Sequence, residues 1–72
     1  MNTEMHKRKI KQVWWPDTEE EKGRNISEEG KTTLMLSATY HGDHDEFWIL
    51  QLYDGKEVAR HNPRYVESII WK

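Results

Sequence analysis

Seventy-two residues build one small domain, of a size that buries only about 60–65% of the surface its unfolded chain exposes and so has a thin margin of stability. The chain has no cysteine, which rules out disulfides and thiolate metal sites and suits a reducing, cytoplasmic compartment. A net charge of −2 argues against a dedicated nucleic-acid binder and against a strongly acidic nucleic-acid mimic, and no apolar run approaches the roughly 20 residues of a membrane span.

The chain starts with the basic run Met1–Lys9, which lacks the apolar stretch of a secretion signal, and residues 1–6 are expected to be frayed. A strand is expected over Lys9–Trp15, where Ile10, Val13, Trp14 and Trp15 are β-formers and Pro16 is the stop. Val13-Trp14-Trp15 breaks strict alternation. Trp14 and Trp15 are neighbours on one strand, so their side chains take opposite faces and at least one should be exposed or at a contact. Asp17–Gly23 reads as an acidic solvated loop, with Asp17 able to cap a single helical turn. Arg24–Ser27 is compatible with a short strand, and Glu28–Lys31 turns the chain into the next one.

Thr32–Tyr40 has the period-2 pattern of a half-buried strand: Leu34, Leu36, Ala38 and Tyr40 share one face, and Thr33, Met35, Ser37 and Thr39 the other. After the His41–Glu46 loop, Phe47–Tyr53 is apolar on both faces, with Phe47, Ile49 and Tyr53 on one and Trp48, Leu50 and Leu52 on the other. Such a strand belongs in the centre of a sheet. Asp54-Gly55 signals a two-residue type I′ turn, which needs positive φ at both central residues, and leads into a strand at Lys56–Arg60. Asn62-Pro63 is a helix start, read here as one 3₁₀ turn at Asn62–Arg64 before a final strand, Tyr65–Trp71. A short C-terminal helix packed on an antiparallel sheet is the alternative.

Together these elements predict a mainly β domain over residues 1–72: a five-stranded antiparallel barrel or strongly bent sheet. Its core would contain Ile10, Leu34, Leu36, Ala38, Trp48, Ile49, Leu50, Leu52, Val58, Val66 and Ile69. The layout resembles a small SH3-like barrel, an architecture that serves many functions. In sequence, the run Trp48–Trp71, particularly Asp54–Arg60, then Asn62, Arg64–Glu67 and Ile69–Trp71, resembles the C-terminal half of small proteins carried by tailed bacteriophages and prophages. The resemblance implies a context in which such proteins bind and modulate a host protein or nucleic-acid machine. It carries no catalytic motif and assigns no site residues.

His41-Gly42-Asp43-His44-Asp45-Glu46 has metal-ligand residue types, but no established ligand spacing, and reads as a polar hairpin tip. Ser27, Ser37 and Ser68 lie in no nucleophile-elbow context, and a chain this short barely encloses a core, let alone a water-excluding pocket. The sequence therefore points to a non-catalytic protein without a cofactor, a resident metal or a small-molecule substrate. Four Trp, together with Arg60, Arg64 and Tyr65 near the C-terminal end, suit a protein partner or a homodimer, whose anchors are typically these residue types. Small nucleic-acid-binding β-domains are the alternative, because His6–Lys11 and Arg60–Arg64 could form a basic edge on which aromatics stack bases. Trp14 or Trp15, Arg60, Arg64 and Tyr65 are the expected binding anchors for either partner.

Overall fold

The computed structural model describes residues 4–40 and 45–72. Six antiparallel strands follow in order: β1 (Glu4–Trp15), β2 (Arg24–Ser27), β3 (Thr32–Tyr40), β4 (Asp45–Tyr53), β5 (Lys56–His61) and β6 (Ser68–Trp71), with a 3₁₀ turn at Pro63–Tyr65 before the last. β4 is central, as its two apolar faces require, with β3 on one side and β5 on the other. No helix of the described residues is long and apolar enough to cross a membrane.

β1 organises the sheet. Ile10 pairs with both Leu34 of β3 and Trp71 of β6, while Val13 pairs with both Ile26 of β2 and Ile69 of β6. A strand has only two edges, so β2 and β3 lie end to end along one edge of β1 and β6 lies along the other. The chain between β2 and β3 loops out in a tight turn. Its Glu29 and Thr32 exchange backbone hydrogen bonds, and Gly30 sits at φ 58°, where a side chain would be strained.

Two β-bulges explain where the packing departs from simple alternation. The first shifts the β1–β6 register at Lys11. An extra residue in one strand flips every later side chain to the other face. Ile10 and Val13, three apart, therefore both point inward and are fully buried, and Trp15 follows them inward while Trp14 turns out. The second bulge shifts the β4–β5 register between Gln51↔Ala59 and Leu52↔Glu57, leaving Val58 as the unpaired residue. Val58 is 59% exposed and does not belong to the core.

The core consists of Ile10, Val13, Leu34 and Ile49, with Trp15, Ile26, Leu36, Val66, Ile69 and Trp71 packed around them. Ala38 is also buried on this inner face, whereas Leu50 and Ser37 are buried on the outer one. Leu52 and Trp48, expected in the core, lie half-buried on that outer face, which no further layer of the described chain covers. Three of the four Trp rings carry a guanidinium instead of full burial: Arg8 over Trp71 at 4.0 Å, Arg24 over Trp15 at 4.3 Å and Arg60 over Trp48 at 5.9 Å. Arginine caps an aromatic face while keeping its charge in water, so a domain too small to bury these rings still shields them.

Several expectations are corrected. The sheet has six strands and is not closed into a barrel. β1 begins at Glu4, with residues 4–6 in register with β3, earlier than the expected start at Lys9, and residues 1–3 lie outside the described residues. The last strand begins at Ser68 rather than Tyr65, because the 3₁₀ turn runs to Tyr65 and Glu67 donates its N–H to the Trp14 carbonyl at 2.7 Å. No C-terminal helix forms. The tight turn is as expected, with Asp54 at φ 53° and Gly55 at φ 81°. Asn62 caps the 3₁₀ turn, its Oδ1 accepting the Arg64 N–H at 2.9 Å.

Candidate functional site

The end of β1 and the 3₁₀ turn meet because β1 runs into Pro16 just where β6 begins to pair with it. Between them lies a groove of about 460 Å³. Trp15, Pro16, Arg24, Arg64, Tyr65 and Val66 line it together with Thr18, Glu20, Glu21 and Lys22 of the acidic loop. Tyr65 is 72% exposed at the rim, while Val66 packs against the core.

Trp15 is held from two directions. Arg24, the first residue of β2 and the cross-strand partner of Trp15, lays its guanidinium over the indole. His61, the last residue of β5, meets the same indole edge-on, with ring centroids 5.0 Å apart and planes at 68°. The curl of the sheet thus ends in a ring contact between β5 and β1 rather than in a hydrogen-bonded ladder. His61 donates through Nε2–H to Gln51 Oε1 at 2.9 Å. Burial, helped by the positive charge of Arg24, holds its imidazole below the usual histidine range and favours the neutral ring.

The acidic loop is shaped by its own polar side chains and forms no helical turn. Asp17 Oδ1 accepts the Gly23 N–H, Thr18 Oγ1 accepts the Glu21 N–H at 2.9 Å, and Thr18 N–H donates to the Glu21 carbonyl at 2.8 Å. Glu20 and Glu21 of this loop line the groove together with Arg64.

Of the expected anchors, Trp15, Arg64 and Tyr65 come together here. Trp14, 40% exposed, faces an adjoining shallow pocket, which shares Trp15, Lys22 and Arg24 with the groove. Arg60 does not join them. It pairs across the sheet with Leu50, on the outer face, and its guanidinium is bound bidentately to Glu57 at 2.9 and 3.1 Å. That bond raises the Arg60 pKa and lowers that of Glu57, which keeps both ionised. Sequence reasoning missed Arg24 and His61. Arg24 was detectable only through the β1–β2 register that sets it opposite Trp15, and His61 only through the curl of the sheet.

Most of the His41–Glu46 cluster lies outside the described residues; among the described residues no three metal-ligating side chains gather. Compared with models of protein families, with curated proteins and with solved structures, the chain matches none.

Proposed function

We propose that this chain is a non-catalytic binding module that docks a protein partner in the groove around Trp15, Arg64 and Tyr65. The observation that carries the reading is the state of Trp15. A large ring is braced by Arg24 and His61, yet borders a groove of ligand size whose rim holds an exposed Tyr and an exposed Arg. Trp, Tyr and Arg are the residues that dominate interface energetics, and a ring already held in place loses little entropy on binding. The 3₁₀ turn ahead of the last strand supports an SH3-like plan, here in an open form. The resemblance of residues 48–71 to phage proteins supports a modulator of a host protein, acting in the cytoplasm. A homodimer through the half-buried outer face is the other protein partner in this reading.

Nucleic-acid binding is the second reading, favoured by exposed Lys7, Arg8 and Lys9 on β1. Capture from bacterial lysate separates the two. A protein retained by the native chain, insensitive to nuclease and lost with the double variant Arg64→Ala, Tyr65→Ala at unchanged melting temperature, supports the module. Retention that nuclease abolishes favours the second reading.

A further inference from the structure

The groove contains three cations, Lys22, Arg24 and Arg64, and among the described residues none of them is ion-paired. Elsewhere the cations near carboxylates are committed: Arg60 to Glu57, Lys72 to Glu28 at 2.8 Å and Lys31 to Asp54 at 4.0 Å. Arg24 is the most constrained of the three. Its guanidinium carbon lies 4.3 Å from the centroid of the Trp15 ring, which holds the group beside the groove with its N–H donors unclaimed by any carboxylate of the described residues. A planar fork held in this way suits a carboxylate, which it can bind bidentately. Beside it, Trp15, Tyr65 and Val66 offer apolar surface.

We propose, resting on the reading of the groove as a protein-binding site, that its partner is a peptide segment with a carboxylate beside a large apolar side chain. The carboxylate meets Arg24 and Arg64, and the apolar side chain lies on Trp15 and Tyr65. Glu20 and Glu21, which also line the groove, set the charge pattern of the ligand: an isolated carboxylate is accepted, whereas a continuous run of phosphates would meet their charge as well. A peptide fits that pattern better than a nucleic-acid strand.

Selection from a random-peptide display library tests this, with the native chain, Arg64→Gln and Arg24→Gln as baits and a labelled oligothymidylate as the nucleic-acid probe. Arg64 is at an exposed turn, so its variant keeps the fold even if Arg24→Gln loosens Trp15. The native chain should enrich peptides with Asp or Glu next to Trp, Phe or Leu. Changing the acid to its amide should weaken binding about tenfold, the cost of one charge-assisted contact, and Arg64→Gln should reduce that difference. Enriched peptides without acids, or with Lys or Arg in their place, would overturn the assignment of ligand class while leaving the groove as a protein site. No enriched peptide at all, whether or not the oligothymidylate binds, would overturn this proposal, while capture of a nuclease-insensitive protein by the native chain and not by the Arg64→Ala, Tyr65→Ala variant would keep the groove as a protein site.

Discussion

Arg24 lies 4.3 Å from the centroid of the Trp15 ring, directly across the β1–β2 ladder. This pair links the fold to the site. The ring packs on the core at one side and borders the groove at the other, so its removal should affect both stability and binding.

Trp15→Ala should therefore cost about 2–4 kcal/mol of stability, toward the lower part of the range for a large buried aromatic. Trp14→Ala, at the exposed neighbour on the opposite face, should cost under about 1 kcal/mol. Urea midpoints of the two variants check the difference, and equal losses would contradict the inward and outward placement that the bulge at Lys11 produces.

Tyr65→Ala should leave the urea midpoint nearly unchanged, because the side chain is largely in solvent. Its effect belongs to binding, where loss of an anchor is expected to weaken the partner by about 2 kcal/mol. Calorimetric titration of partner into the variant measures this, and unchanged affinity would remove Tyr65 from the site.

Near pH 6.5, the ordinary pKa of an imidazole, the folded protein binds fewer protons at His61 than the unfolded chain does. This contribution therefore makes stability rise with pH through that window. As pH falls through the unfolded-state pKa the stability is lost, and the loss levels off below the lower folded-state pKa. His61→Gln should shrink the difference in urea midpoint between about pH 5 and about pH 8. A difference as large as that of the native chain would show that His61 is not the group responsible.

A Cβ added at Gly23 would come within 2.9 Å of Asp17 Oδ1, 3.0 Å of the Trp15 carbonyl oxygen and 3.1 Å of the Asp17 nitrogen. The two backbone atoms cannot swing aside. Gly23→Ala should cost roughly 1–3 kcal/mol through overpacking and reposition the acidic side of the groove. Thermal unfolding reports the first effect. A native melting temperature in this variant would mean the loop yields more easily than its hydrogen bonds suggest.

The β3 and β4 strands and the Asp54-Gly55 turn were legible in the sequence because strand alternation and turn chemistry are local properties. Register is not local. The bulge that places Val13 in the core depends on how β6 meets β1, and the one that expels Val58 on how β5 meets β4. The sequence alone places Val58 in the core and leaves Val13 out, the reverse of what these registers produce. Val13→Ala should cost about 2 kcal/mol and Val58→Ala should stay within about 0.5 kcal/mol. For the site, clustered aromatic and basic residues pointed to Trp15, Arg64 and Tyr65. The same reasoning drew in Arg60, whose neighbour His61 took the inner face and left Arg60 on the outer one. Only the three-dimensional curl brings Arg24 and His61 to Trp15.

The central claim is that the partner sits on the Trp15 side of the sheet. The indole N–H resonances of the four Trp test it directly, because the rings occupy distinct places in the fold. On titration with captured partner or selected peptide, the Trp15 signal should shift most, that of neighbouring Trp14 less, and those of Trp48 and Trp71 little. A shift concentrated at Trp48, with Trp15 unmoved, would place the interface on the outer face beside Arg60 and contradict the assignment of the groove.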